Sequence, residues 1–507
     1  MCRTYEIIVL VILLICFGFF LVNKINLTTA DLGRHLKNGE IVVNNAFSDF
    51  NIVKKVLNTN FYSYTYSDFP FINHHWGGGV ILYLLFLLIG FNGLSLIYIL
   101  LSFIIFFIFF KLAKSKSSLF IILLIGLLLI PLISARKEIR PEIFSYLFIA
   151  LFFYVLWKVK NKEISFKWLI VLPIIQLFWI NIHIYFVFGI FIIGAFLFEE
   201  LILKKRFDKK LLYSFFSVTL ISFLNPFNIS GLMYPFNIFK EYGYKIVENQ
   251  SIFFLHRLDF NNPNILLFKI SFILLFLSFL LVFLLNRKKF SIVLFIFSLV
   301  FGFMACFAIR NFTLFGLFAF LSICINLKLI LDKIKFKENV KEVLIIISLL
   351  SIVLFGVFNN FDYFKREIGI GLLGGNNNAA EFFKENDLKG PIFNNYDIGG
   401  YLIYHLYPEK VFVDNRPEAY PVSFFTEEYI PMQENDNVFV NYDFNAIFFY
   451  YHDFTPWAQE FLIRKVDDSN WAPVFADSYS IIFLKRNELN KELINKFELP
   501  KEMFKVK

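Results

Sequence analysis

Long apolar runs, each of a length that crosses a bilayer as a helix (roughly 17–22 residues), recur through the first 360 residues, and lysine and arginine collect in the short gaps between them. The pattern predicts spans near 6–23, 93–112, 117–135, 141–157, 167–181, 183–203, 211–225, 265–286, 290–309, 311–331 and 342–358, eleven in all. The apolar run at 78–90 is too short to join them: as a helix it reaches only about 20 Å, against a hydrocarbon core of about 30 Å, and it reads as an interfacial or re-entrant helix. Beyond about residue 360 the period changes. The runs PIFN, KVFVDN, NAIFFYY and the one near 479–484 are short and bounded by polar residues, which predicts strands, and NNAAEFFKEN predicts a helix between them. The expected architecture is an α-helical polytopic membrane protein of about eleven transmembrane helices over 1–360, followed by a small α/β domain over 361–507.

The distribution of charge orients this layout. Basic clusters at 111–116, 158–167, 204–210, 287–289 and 328–341 are separated by even numbers of crossings, so the positive-inside rule places all of them, and the N-terminus, in the cytoplasm. The first loop, 24–76, and the C-terminal domain then lie on the non-cytoplasmic side. The first apolar run follows Arg3 but has no persuasive small-residue cleavage site, and reads as a retained first helix. A composition that is 58% hydrophobic, with a mean hydropathy of +0.64, excludes a single soluble core. The net charge of +9 sits mostly in the topology clusters, so nucleic-acid binding is not expected. Cys16, Cys306 and Cys324 fall in apolar segments and Cys2 at the N-terminus, which leaves no disulfide framework and no cysteine metal site outside the membrane.

Polar, titratable residues crowd at the non-cytoplasmic face. In the helical pattern over 31–43, Asp31, His35 and Asn38 share one stripe opposite Leu32, Leu36 and Val43. Asp31 then has two readings: a general base for an acceptor hydroxyl or amine, or the closing residue of a capping box begun by Thr28. His74, His75 and Trp76 precede three glycines; Trp76 also fits an interfacial anchor, and the histidines with Asp31 or His35 are the candidates for a divalent cation, although no metal-ligand spacing accompanies them. Arg136, Lys137 and Arg140 stand at an outer helix end against the positive-inside trend. With Arg257 and Arg310 they form a potential clamp for a lipid phosphate or diphosphate. The uncharged stretch 168–198 must cross twice with arms of only about 23 Å, so its turn at Asn181–His183 is expected below the membrane surface, buried in protein or facing a water-filled cavity.

The motifs DLGRHLKNGE, NHHW, RPE at 140–142, WINIH at 179–183, NYDIGGYLIY at 395–404 and VFVDNR at 411–416 resemble those of a bacterial group within the GT-C superfamily of polytopic glycosyltransferases, which includes protein O-mannosyltransferases, aminoarabinose transferases and oligosaccharyltransferase catalytic subunits. The resemblance implies an inverting hexosyltransferase-type enzyme of the plasma membrane and cell envelope. Its donor would be a polyprenyl-phosphate sugar, its acceptor a glycan, lipid or protein, and membrane lipids its surroundings. It puts Asp31 in the acidic catalytic position, gives His35, His74, His75, Trp76, Asn181 and His183 to substrate binding, and gives the leaving phosphate to Arg140 and Arg310. Tyr401, Asp414 and Arg416 would lie on the acceptor side, or else serve as a tight turn and a structural ion pair. Mg or Mn is a possible cofactor, but the first loop has no DxD, since Gly33 stands two residues after Asp31, and no WWDYG-type motif occurs in the C-terminal domain, which argues against an oligosaccharyltransferase. The alternatives are a transporter or flippase for a lipid-linked saccharide, disfavoured by spans nearly free of ionisable residues, and a non-catalytic binding protein.

Overall fold

A computed structural model describes residues 2–333 and 367–504, so the span expected at 342–358 lies outside the described residues. Helix α1 (Cys2–Leu21) opens the chain. The first loop folds into α2 (Leu32–Asn45) and α3 (Phe50–Asn58). The membrane part continues through α4 (Trp76–Lys114), α5 (Leu119–Ile133), α6 (Glu142–Lys160), α7 (Val171–Ile182), α8 (Val187–Lys204) and α9 (Lys209–Ile221). The short helices α10 (Asn228–Asn237) and α11 (Ile252–Arg257) precede α12 (Pro263–Asn286), α13 (Ile292–Phe307) and α14 (Phe312–Leu331). Among the described residues six helices are long and apolar enough to cross a membrane, and three more apolar helices are shorter. Their outer faces carry bare apolar side chains such as Leu88, Leu280 and Leu284, while α14 is buried along nearly its whole length at the centre of the bundle. The protein is therefore a helical polytopic membrane protein with a small C-terminal sheet.

Two interruptions in the apolar pattern become breaks in the backbone. Gly90 adopts φ +61°, ψ −168° inside α4 and divides its first half from the span that follows; glycine is the residue for which this left-handed backbone is cheap. Between α7 and α8, His183 is extended (φ −159°, ψ 145°) and leads into a single 3₁₀ turn, 184–186.

In the C-terminal domain, α15 (Asn378–Glu385) and α16 (Gly399–Leu406) flank a sheet of β1 (Ile392–Asn394), β2 (Ala446–Tyr450), β3 (Trp471–Ala476) and β4 (Ser480–Lys485) in the order β1-β2-β4-β3, with α17 (Pro456–Asp467) and α18 (Lys491–Phe497) against it. The β1–β2 pair is parallel and the others antiparallel. Three of the four expected strands are present. The fourth, KVFVDN, is not in the sheet: Val411 bonds across to the first loop, its N–H to the Tyr62 carbonyl at 3.0 Å and its carbonyl to the Tyr64 N–H at 3.2 Å. Its apolar pattern comes from Phe412 and Val413, which are fully buried without belonging to a ladder. The strand taking that place, β3, carries Pro473 and a register irregularity, features that speak against a strand in the sequence.

The first loop and the C-terminal domain are fastened together. Asn376 accepts from the Leu27 N–H at 2.7 Å and donates to Thr28 Oγ1 at 2.8 Å. The buried Asp414–Arg416 pair is bidentate, and Arg416 reaches on to Asn60 at 2.8 Å. Helix α2 meets the first half of α4 so closely that a Cβ on Gly39 would lie 2.2 Å from the Gly79 carbonyl oxygen. Gly39→Ala should therefore push α2 off α4 and cost about 1–3 kcal/mol. Thermal unfolding of the full chain in nanodiscs checks this against Gly374→Ala, where a Cβ meets nothing within 4 Å.

Candidate active site

A cavity of about 660 Å³ lies where the first loop, one end of the bundle and the C-terminal domain meet. Its polar end is built from six short segments. The start of α2 brings Asp31, Arg34 and His35; the approach to α4 brings His74 and His75; the α5–α6 connection brings Arg140 and Glu142. His183 and Tyr185 come from the α7–α8 break, Tyr242, Glu248 and Asn249 from the segment before α11, and Arg310 and Asn311 from the α13–α14 junction. The C-terminal domain covers this end with Tyr396, Asp397, Asn415 and Glu418. The opposite wall is apolar, with Val187, Phe188, Phe239, Phe303 and Phe307, and the last three are largely exposed on their outer sides.

Asp31 stands at the N-cap of α2, but its side chain makes no capping bond, and Thr28 is occupied by Asn376. The capping-box reading thus fails, because the carboxylate is turned towards cations. Oδ2 meets Arg140 Nη1 at 3.1 Å, and Oδ1 meets Arg34 Nη2 at 3.4 Å and accepts from Asn415. Arg140 also contacts Glu248 Oε1 at 3.0 Å and Glu138 through Nε at 2.8 Å. Arg136 donates to Glu142 Oε2 at 2.9 Å and to Glu248. Arg310 lies 3.8 Å from each of these two glutamates and donates to Asn249 at 2.9 Å. Carboxylates from three segments therefore interlock with guanidiniums from three.

Four imidazoles line one side in sequence: His35 and His75 at 5.2 Å between ring centres, His75 and His74 at 3.9 Å, and His75 and His183 at 5.0 Å. Burial holds His35 well below the ordinary imidazole range, and lowers His74 to about 3, so both are neutral at physiological pH. His183 Nδ1 accepts from the Tyr185 N–H at 3.3 Å, which leaves its proton on Nε2; Ser145, the 2.9 Å partner of Nδ1, is held in turn by Trp179 Nε1 at 2.8 Å. Asp397, just after β1, is different: it faces the cavity with no hydrogen bond or ion pair of its own among the described residues, and burial, reinforced by Asp453 and Asp31, raises its carboxyl to about 7.

No family model matches the chain, and no curated protein matches it. Solved structures do. An archaeal oligosaccharyltransferase from Archaeoglobus fulgidus, in complex with an inhibitory peptide and a dolichol-phosphate, superposes with a TM-score of 0.63 at 12% identity over 94% of this chain and 74% of that one. The same enzyme in complex with Zn and sulfate gives 0.59 over 94% and 73%, again at 12% identity. The mycobacterial arabinofuranosyltransferase AftD gives 0.53 at 11% identity over 95% of this chain and 41% of that one. The chain has the GT-C fold. That fold spans the membrane part and the C-terminal domain together, since the superpositions cover nearly all of the chain.

Within this GT-C fold, Asp31, His35, His74, His75, Arg140, His183 and Arg310 all line the one cavity. Six other residues singled out in the sequence do not. Trp76 packs with Val80 and Phe227 against Val42 and Val53, and Asn181 donates to the carbonyls of Leu177 and Leu224. Tyr401 is fully buried with its hydroxyl on the Ala380 N–H. Asp414 and Arg416 hold each other beneath the cavity, while their neighbours Asn415 and Glu418 face it. Arg257 ends α11 and does not line the cavity. The sequence reading missed Arg34, Glu142, Glu248, Asp397 and Glu418; the only available signal was the acidic member of RPE and of NYDIGG.

The raised Asp397 binds a proton that the unfolded chain gives up near pH 4, so its contribution is full at low pH and declines as pH rises towards 7. Relative to Asp397→Asn, the wild type should lose stability between pH 5 and pH 8; parallel thermal unfolding curves of the two proteins would contradict the burial of this carboxyl.

Proposed function

We propose that the protein is a membrane glycosyltransferase that moves a sugar from a polyprenyl-phosphate donor to a glycan, lipid or protein acceptor on the non-cytoplasmic face. The observation that carries this reading is the cavity's two-ended character. One wall is apolar and laterally exposed, suited to an isoprenoid, and the other end presents Asp31 beside Arg140 and Arg310 under the C-terminal domain. The dolichol-phosphate in the archaeal neighbour's structure supports the donor class. The transfer is inverting: an acceptor hydroxyl or amine attacks the anomeric carbon as the bond to the phosphate oxygen breaks. Asp31, kept oriented by Arg34, Asn415 and Arg140, takes the acceptor's proton. The departing phosphate keeps the bonding electron pair, and Arg140 and Arg310 stabilise its charge. The neutral histidines supply hydrogen bonds to sugar hydroxyls without adding charge, and the C-terminal segments 396–397 and 415–418 form the acceptor's side of the cavity.

Purified protein in nanodiscs, given a panel of polyprenyl-phosphate sugars, should release free polyprenyl phosphate, detected by mass spectrometry. Asp31→Asn should slow release by about 10²–10⁴-fold while lipid binding is retained. Full activity in that variant would remove Asp31 as the base. Saturable binding of the donors with no release from any of them would contradict a transferase.

A further inference from the structure

A GT-C site raises the question of a divalent cation, because the archaeal neighbour has been seen with Zn. Among the described residues no group of three or more His, Cys, Asp or Glu side chains is arranged to hold a metal ion. The physical reason is the arginines. Asp31, Glu138, Glu142 and Glu248 bring four negative charges to the polar end, and Arg34, Arg136, Arg140 and Arg310 bring four positive ones. Arg140 Nη1 lies 3.1 Å from Asp31 Oδ2 and 3.0 Å from Glu248 Oε1, and so occupies the point between the two carboxylates that a bridging cation would need. A divalent ion placed there would meet guanidinium repulsion and carboxylate lone pairs already committed. The other acids facing the cavity, Asp397 and Glu418, are both pushed towards their neutral forms by burial, and a neutral carboxyl is a poor ligand for a hard cation.

The same arrangement suits an anion. Among the described residues Glu248 is the one carboxylate touched by Arg136, Arg140 and Arg310 together, it comes from a segment outside the spans, and it lies at the cavity wall. Arg310 holds it only loosely, at 3.8 Å, and Arg310 Nε is buried with no hydrogen-bond partner among the described residues. Three guanidiniums around one side-chain carboxylate make the geometry that a phosphate would use, with forked donors and spare N–H groups.

We propose that Arg140 and Arg310 bind the donor's phosphate without any divalent cation, and that Glu248 is the resident anion which the phosphate replaces on them. This rests on the lipid-phosphate donor proposed above. It sets Glu248 apart from a metal ligand by the sign of one effect: removing a ligand weakens phosphate binding, whereas removing a competing anion strengthens it.

The test measures undecaprenyl phosphate binding to the full chain in nanodiscs, by native mass spectrometry, in EDTA and in MnCl₂. The dissociation constant should be the same in both. Glu248→Gln should tighten binding by about two- to fivefold, the scale of one partly exposed ion pair, and Arg140→Gln should weaken it. Binding lost in EDTA and restored by Mn²⁺ would overturn the proposal, and that comparison needs no variant. So would weaker binding in Glu248→Gln at unchanged thermal stability. If undecaprenyl phosphate binds in neither condition, the donor assignment itself falls.

Discussion

Guanidiniums placed at the rim of a hydrocarbon layer and largely withdrawn from water need counter-charges close by, and this requirement organises the protein. Burying a charge without a partner costs several kcal/mol, so each arginine at the outer ends of the bundle draws a carboxylate to it. Arg140 is the pivot. It joins Asp31 of the first loop, Glu138 of its own connection and Glu248 of the segment before α11. Segments far apart in sequence are thus brought to one point by pairing that none of them could satisfy alone, and the cavity is the space left around that point.

The C-terminal domain completes the arrangement. Asn415 sits on Asp31 and on Arg34, linking the domain to the centre of the charge network, and the Asp414–Arg416 pair beneath it fixes the segment that carries Asn415. Asp414 and Arg416, read from the sequence as acceptor-side residues or a structural ion pair, support neighbours that face the cavity. A buried bidentate pair suits this task, since removing either partner leaves the other stranded. His35 and His74 stay neutral because burial disfavours their charged forms, so the arginines and their carboxylates, not the histidines, set the field at the polar end.

Much of this was readable in the chain because membrane helices and helix breaks have strong local signatures. Short arms on either side of Asn181–His183 required a break there, and His183 is extended between two helices. The 78–90 run was too short to span, and the backbone breaks at Gly90. Arginines at outer helix ends violated the positive-inside trend, and Arg140 and Arg310 lie in the cavity. What escaped has a physical explanation too. Glu248 lies in a single 3₁₀ turn and Asp397 in a turn after β1, too short for any periodicity to assign a direction to a side chain. KVFVDN looked like a strand because its apolar residues are buried, but its backbone bonds to the first loop and to the side chains of Asn394 and Tyr420 instead of a ladder. Thr28 and Asp31 matched a capping pattern, but Thr28 bonds instead to Asn376, about 350 residues away in the chain.

The central claim is that the guanidinium network at the outer end of the bundle is a seat for a lipid phosphate. A cryo-electron microscopy map of the full chain in nanodiscs with undecaprenyl phosphate addresses it most directly. The account predicts density for the phosphate within hydrogen-bonding distance of Arg140 and Arg310, with the isoprenoid leaving along Phe303 and Phe307. A phosphate found instead among the basic residues at 204–210, with the arginine–carboxylate network unchanged, would contradict it.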